Sequence, residues 1–355
     1  MINYTLAYEL ADIAFGRIKE LIESLSSMSK LSFFLAMTAG GEVDVFRAIR
    51  QYNYMVASYF PYVAPFYANL PSSEWWKLEG SRLVKMSSEE FAKAVSGVHI
   101  ISTEPAFQGP LTGTGKTTTL LWLACKPIVD AKYESYRNCV EDVFEAGLYV
   151  NNAEDARALV KDVLRIQRPI PWVIFDDFGG YGGKATKDKE FIALIKRLLT
   201  FHRALIGVVL IASNSYTTVT RTVLEEATSF GFVMPYTVPS ISVAAEGEAL
   251  KELEESGVVR RGKYVIRVRW VKPIFVGAST LKIAPYINPL LRGGKGSALM
   301  TYIPYEEVSE SRSAPSYKLS YAARKRNLLP PSPGEEGENE GGNGEEGGGE
   351  GGAAP

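Results

Sequence analysis

Short apolar runs alternate with amphipathic stretches through the middle of the chain. Four of these runs lack the apolar–polar alternation of a half-buried strand, so each predicts a strand buried on both faces: Val98–Ser102, Gly147–Val150, Trp172–Phe175 and Leu205–Ala212. Helical spacing predicts helices among them, over Lys116–Ala124, Ala153–Ile166 and Phe191–Phe201. Because strands and helices alternate, the sequence predicts βαβ units and an α/β fold built on a parallel sheet.

The predicted organisation has four parts. The N-terminal part should be mainly helical, since apolar side chains from Leu10 to Leu25 recur at roughly helical spacing. Beyond the core we expect a helix, a hairpin and a last helix, at Glu246–Ser256, Val258–Trp270 and Tyr317–Arg326. The N-terminal region covers residues 1–95 and the core covers 96–235. A C-terminal lid or winged-like hairpin region covers 236–327, and the tail covers 328–355.

Composition narrows the class of protein. Apolar residues make up 46% of 355, as in globular proteins, and no leader peptide is expected. The least charged stretch, residues 51–73, is broken by prolines, so it predicts an aromatic packing segment, with membrane-surface contact as the alternative. The cysteine count of two argues against a disulfide framework and favours a reducing, cytoplasmic location. Gln occurs only three times, a depletion reported for hyperthermophiles, so we expect a hot habitat.

Charge is divided between the body of the chain and its tail. The whole chain has a net charge of −1, but residues 334–355 carry seven Glu and no basic residue. Taking those seven from 40 acidic residues leaves 33 against 39 basic ones, a balance of +6 for the body. The tail has almost no apolar side chains with which to build a core, so it should be disordered.

One Gly-rich run carries a recognisable chemistry. The segment Gly113-Thr114-Gly115-Lys116-Thr117-Thr118 has the residues of a phosphate-binding loop that opens a helix. Glycines let backbone N–H groups approach phosphate oxygens, and the helix points its positive end at them. Lys116 would reach the β and γ phosphates of ATP, and the Thr117 hydroxyl would bind Mg²⁺. The pattern is not complete, since Pro110 stands where the first glycine is expected and Gly109 lies one residue early.

Polar residues follow two of the predicted strands. Asp176 and Asp177 close the strand Trp172–Phe175, 60 residues after Lys116. Asp176 is the predicted acidic Mg²⁺ ligand, usually through water, and Asp177 is placed to activate the attacking water. The strand ending at Ala212 should lie between the other two motifs, so that Asn214, or Ser213 in its place, points at the γ-phosphate. A strand-end turn is the alternative for Asn214.

These three motifs together resemble the AAA+ ATPases. The likeness covers roughly residues 98–230, and the order and spacing look most like the helicase-loader, transposition-helper and replication-initiator branch. It implies an oligomer that uses ATP and Mg²⁺ and acts on DNA or on a DNA-bound protein, with Asn214 as sensor asparagine. Asp177 stands where the family most often has Glu, which implies slow hydrolysis. Arg221 is the candidate trans-acting arginine, with a plain surface arginine as the alternative.

Three further segments could contact a nucleic acid. The glycines of Gly179–Lys184 predict a mobile loop, and Arg324–Arg326 predicts an anion contact or a solvated helix end. Five basic residues occur between Arg260 and Arg269. Because side chains alternate along a strand, Arg267 and Arg269 would lie on one face of the predicted hairpin. The alternatives to a DNA-associated ATPase are a DNA-packaging or secretion motor, which the 60-residue spacing disfavours, and a signalling NTPase switch.

Overall fold

The computed structural model describes residues 1–38, 55–67, 76–79, 82–85, 95–105, 113–168, 170–184, 188–238, 254, 259–276, 280–286 and 298–328. Residues Met1–Tyr317 form one compact unit and Lys318–Pro355 form a second. The helices of the described ranges are α1 Tyr4–Thr38, α2 Phe60–Tyr67, α3 Lys116–Ala131, α4 Tyr136–Glu145, α5 Ala153–Ile166, α6 Phe178–Tyr181, α7 Lys189–Leu205, α8 Arg221–Glu226, α9 Tyr305–Ser313 and α10 Pro315–Leu328. The strands are β1 Trp76–Glu79, β2 Arg82–Lys85, β3 Gly97–Thr103, β4 Tyr149–Val150, β5 Ile170–Phe175, β6 Ile206–Ser213, β7 Ser229–Thr237, β8 Tyr264–Val276, β9 Thr280–Pro285 and β10 Met300–Pro304.

An eight-stranded sheet forms the centre of the first unit. Its order is β10–β8–β7–β3–β6–β5–β4, and β9 pairs with β8 outside that path. The five strands from β7 to β4 are parallel, whereas β8, β9 and β10 pair antiparallel. Every residue of β3 and β5 is buried, as expected of strands covered on both faces. The prediction of an α/β fold is confirmed, with a mixed, mostly parallel sheet.

The core elements match the sequence pattern closely. The four predicted strands are present as β3, β4, β5 and β6, and the three predicted helices as α3, α5 and α7. The Asn152 side chain caps α5 by accepting a hydrogen bond from the Asp155 N–H. Helix α3 continues beyond the predicted end at Ala124 to Ala131 and passes through Pro127.

The basic C-terminal segment differs from its prediction. The turn at Arg261-Gly262 is present, with Gly262 at φ 71° and its N–H donating to the Val238 carbonyl. However, β8 pairs with β7, so the expected self-contained hairpin over Val258–Trp270 is wrong. The hydrophobic residues of β8 contact strands that are distant from it in the sequence. The local spacing of apolar residues does not reveal such contacts. The predicted helix at Glu246–Ser256 lies outside the described residues except for position 254.

The N-terminal region is helical where it is described, apart from the antiparallel pair β1–β2. Helix α1 packs against α3 and β5, and its residues Leu10, Ile18 and Leu21 belong to the main hydrophobic core. The tail beyond Leu328 lies outside the described residues. Among the described helices, none combines the length and apolar composition that crossing a bilayer requires.

The two cysteines are joined to each other. Cys125 on α3 forms a disulfide with Cys139 on α4, with Cα atoms 5.8 Å apart, and both side chains are fully buried. The prediction was against a disulfide framework; the structure has one disulfide, which the cysteine count did not predict. A count of two cysteines does not show how far apart they lie, and two sequential helices packed together bring this pair into bonding range. Intracellular disulfides are a recognised feature of hyperthermophiles, so the bond fits either compartment.

Candidate functional site at the carboxyl edge of the sheet

The predicted site residues follow strands β3, β5 and β6, whose carboxyl ends lie side by side. In the parallel register Ser102 is opposite Ser213, and Phe175 is opposite Ile211. Strand β6 lies between β3 and β5, as predicted from the motifs. Neighbouring strands are about 4.8 Å apart, so β3 and β5 are separated by about 10 Å, enough for a phosphate group and a cation. In open α/β sheets this edge is where ligands bind.

The two glycines just before α3 have the backbone angles that the predicted phosphate-binding loop requires. Gly113 and Gly115 have φ of 78° and 96°, in the left-handed region that side chains disfavour. A Cβ on Gly115 would also lie 2.6 Å from Cδ1 of Ile266 on β8, so glycine is required there on two grounds. Gly115 is the cap residue of α3 and has no side chain with which to occupy the N–H groups of the first turn. Gly109 and Pro110 lie outside the described residues.

Lys116 lies at the first position of α3 and is directed toward the end of β3. Its Nζ donates to Oγ1 of Thr103 and Oγ1 of Thr114, each at 3.3 Å. The two hydroxyls are 3.2 Å apart and both threonines are buried. Lys116 and Thr117 themselves are half-buried. Two threonine hydroxyls therefore help to hold the ammonium group beside the start of α3. Thr103, which ends β3, was not predicted as a site residue.

Asp176 is buried at the end of β5, with 2% of its surface exposed. Its Oδ1 accepts a hydrogen bond from the Asp177 N–H at 2.9 Å, and its Oδ2 accepts one from the Tyr149 hydroxyl at 2.6 Å. Tyr149 lies on β4, and its ring packs on Phe144 with centroids 4.3 Å apart. These contacts fix the orientation of the carboxylate, as partners of metal-binding carboxylates commonly do. Tyr149 is a site residue that the sequence analysis missed.

Asp177 has an unusual backbone for a residue with a side chain. Its φ of 53° is in the left-handed region, and among the described non-glycine residues only Gln167, at the end of α5, shares this. Asp177 is exposed and immediately precedes α6, without a capping hydrogen bond from its side chain. Left-handed residues at strand-to-helix turns often mark functional positions, because the turn must be stabilised by its surroundings. The turn here separates the two acids, so that Asp176 is buried and Asp177 faces solvent.

The Gly-rich stretch after Asp177 does not form the open loop predicted for Gly179–Lys184. It folds as the short helix α6, and Gly183 bridges to Val219. A Cβ on Gly183 would lie 2.4 Å from the Gly179 carbonyl oxygen and 2.8 Å from that of Thr218. The glycines therefore allow close backbone packing against the segment after β6. From composition alone, glycines that allow close packing could not be distinguished from glycines that make a loop flexible.

Strand β6 ends in two polar residues with different surroundings. The Ser213 hydroxyl is buried and contacts the Ser215 carbonyl and the Thr218 hydroxyl, at 3.1 and 2.8 Å. Ser213 thus orders the turn after the strand. Asn214 is half-buried at the edge itself, between the ends of β3 and β5. Of the two candidates, Asn214 has the position from which an amide could reach a ligand.

The arginines expected to contact DNA are engaged within the sheet. Arg269 forms two hydrogen bonds with the Glu104 carboxylate, which raise the pKa of Arg269, and its guanidinium lies over the Phe232 ring. Arg267 lies over the Tyr236 ring. The expectation that they share one face is confirmed, but these contacts hold them against β7. Arg221 is exposed on α8 and forms an ion pair with Glu225.

A comparison of the chain with protein-family models and with curated proteins gives no match. Within the described residues, no group of three or more His, Cys, Asp or Glu could hold a metal without help from a ligand. The chemistry must therefore be argued from the left-handed glycines, the lysine and the paired acids.

Proposed function

We propose that this chain binds and hydrolyses ATP with Mg²⁺ at the carboxyl edge of its sheet. The observation that carries the proposal is the junction of β3 and α3. There a left-handed glycine turn leads into a 16-residue helix whose first residue is Lys116. Such a junction attracts anions through its N–H groups and helix dipole, and lysine adds a full positive charge. The supporting acid, Asp176, follows the next strand but one.

Each residue has a distinct part in this proposal. The backbone of Gly113–Thr118 holds the phosphates, and Lys116 stabilises the charge on the β and γ groups. Thr117 and Asp176 hold Mg²⁺, which would neutralise phosphate charge during transfer. Asp177, exposed at its turn, accepts a proton from the attacking water, and Asn214 orients that water or the γ-phosphate. The order of β3, β6 and β5 supports the resemblance to AAA+ ATPases.

The proposed setting is an oligomer that works on DNA or on a DNA-bound partner in the cytoplasm. The basic body of the chain, at +6 without residues 334–355, supports a polyanionic partner. Arg221 is exposed, as a residue that reaches a neighbouring subunit must be.

The rate of steady-state ATP hydrolysis, measured without DNA, with single-stranded DNA and with double-stranded DNA, tests whether DNA is the partner. Stimulation by DNA supports this setting, and equal rates in all three arms argue against it.

The Lys116→Ala variant tests the nucleotide site. Loss of the ammonium group should weaken Mg-ATP binding at least tenfold, or about 1.4 kcal/mol, in titration calorimetry. Lys132→Ala is the matched control, because Lys132 is an exposed lysine at the other end of the same helix. Its affinity should equal that of the parent. No binding by the parent protein, or equal binding by Lys116→Ala, would refute the proposed site.

A further inference from the structure

A second cationic side chain approaches the start of α3. Arg312 on α9 donates from Nε to Oγ1 of Thr118 at 3.2 Å. Thr118 is in the first turn of α3 and is 1% exposed, whereas Arg312 is half-buried. The two residues are 194 positions apart, so the contact depends on the tertiary fold. It brings a guanidinium group to the helix end where the proposed phosphate site lies.

Helix α9 is fixed at both ends, which fixes the position of Arg312. Near its start, the Glu307 carboxylate accepts a hydrogen bond from Nε1 of Trp122, a buried residue of α3. Just beyond its end, the N–H and hydroxyl of Ser316 both donate to the Glu141 carboxylate on α4, at 2.9 and 2.6 Å. Arg312 lies between these anchors, so its backbone cannot move far from Thr118.

The guanidinium retains capacity for a ligand. Arginine has five N–H donors, and the contact with Thr118 uses the one on Nε. Within the described part of the chain, Arg312 forms no ion pair, and no residue accepts from its two terminal nitrogens. The nearby Tyr264 hydroxyl has a pKa raised by burial, and the positive charge of Arg312 opposes that rise. The terminal nitrogens thus present four donors in a planar fork that suits phosphate.

Helix geometry sets where such a ligand group would lie. Successive residues of an α-helix are 100° apart, so Lys116 and Thr118 leave the axis about 200° apart, on opposite sides. Lys116 turns toward Thr103 on β3, while Arg312 meets the other flank of the helix end. A phosphate chain lying across the N-terminus would have one cation near each end.

We propose that Arg312 binds the phosphate nearest the nucleoside, opposite the phosphates held by Lys116. This inference rests on the proposed nucleotide function. It gives the phosphate nearest the nucleoside a cation of its own, on the flank of α3 opposite Lys116. It also makes α9 part of the site, so the C-terminal region and the core bind nucleotide together.

Calorimetric binding of Mg-ATP and Mg-ADP to the full chain tests this role. Arg312→Ala should weaken both nucleotides by about tenfold and by the same factor, because both contain the phosphate in question. Arg312→Gln can still donate to Thr118 but has no charge, and it should show a similar loss. Arg137→Ala, an exposed arginine on α4, is the matched control and should bind as the parent does.

The outcomes separate this inference from the broader proposal. If the parent binds no nucleotide, the proposed function fails. If the parent binds and Lys116→Ala does not, but both Arg312 variants bind like the parent, only the role of Arg312 fails. A loss for ATP alone would place Arg312 at the γ-phosphate and overturn its assignment. Thermal unfolding without nucleotide checks the fold: parent-like midpoints for Arg312→Gln exclude a general loss of structure.

Discussion

The left-handed backbone of Asp177 decides which substitution can test its role. Asn accepts this conformation about as well as Asp does, whereas most other side chains would strain the turn. Asn also has nearly the same size, and the exposed position imposes no packing requirement. The Asp177→Asn variant therefore removes the proposed proton acceptor while keeping the size of the side chain and the conformation of the turn.

We expect Asp177→Asn to bind Mg-ATP within about twofold of the parent but to hydrolyse it at least 100-fold more slowly, the usual contribution of a general base. Single-turnover hydrolysis beside calorimetric binding measures both quantities. Asp12→Asn, an exposed aspartate on α1, serves as the matched control. Hydrolysis by Asp177→Asn at the parent rate would mean that another group accepts the proton.

Some residues of the candidate site could be identified from the sequence, and others could not. The glycines and Lys116 could be found because a phosphate loop depends on local backbone geometry, which a short motif encodes. Tyr149 reaches Asp176 across two strands, and Arg312 reaches Thr118 from a distant helix. Neither contact has a local signal, because each depends on the order of strands and the packing of helices.

At the scale of elements, the disulfide joins the helix of the proposed phosphate loop to the next helix. Cys125 and Cys139 are 14 residues apart, and closing a loop of about this length stabilises a protein by about 3 kcal/mol in the chain-entropy model. The link restrains α3 near its middle, away from the site. It should therefore affect stability more than nucleotide affinity.

Reduction of the parent protein should lower the free energy of unfolding by about 3 kcal/mol in denaturant titrations, with Mg-ATP affinity changed less than twofold. Both cysteines are buried, so reduction must be carried out on unfolded protein before refolding. A Cys125→Ala, Cys139→Ala double variant is the control, since reductant should not change its unfolding. Two free thiols in unreduced, denatured protein would show that the bond is absent.

Elements with strong local patterns were predictable, and those with broken patterns were not. Strands β5 and β6 are nearly continuous apolar runs, which predict burial on both faces. Strand β7 contains Gly231 and Pro235, two residues depleted in strands, so its pattern is interrupted. Without β7, the partner of β8 could not be identified, and β8 appeared to form a hairpin of its own.

At the scale of the whole molecule, the main hydrophobic core of the first unit extends well beyond the parallel strands, and a smaller second cluster surrounds Val265 on β8. Helix α1 and strands β8 and β10 contribute residues to the same hydrophobic cluster as the parallel strands. Sequence patterns predicted a helix for α1 and a strand for β8, but not their places in the fold, because their partners are far apart along the chain; β10 was not predicted. A ligand that contacts both α3 and α9 would therefore be held by a rigid unit.

The charge division between body and tail predicts how DNA binding responds to truncation. Residues 334–355 carry seven Glu, and a tethered acidic segment competes with DNA phosphates for basic side chains at high effective concentration. Deleting residues 334–355 should tighten DNA binding at low salt, and the gain should shrink as salt rises, since ions screen both interactions. Fluorescence anisotropy with a labelled duplex over a salt series measures the affinity for DNA.

The control replaces all seven Glu of the tail with Gln, which keeps the length of the tail, and it should bind DNA as tightly as the deletion variant does. If the Gln tail behaves like the parent tail, its length and not its charge controls access. If no form of the protein binds DNA, the proposed partner is wrong while the nucleotide site stands.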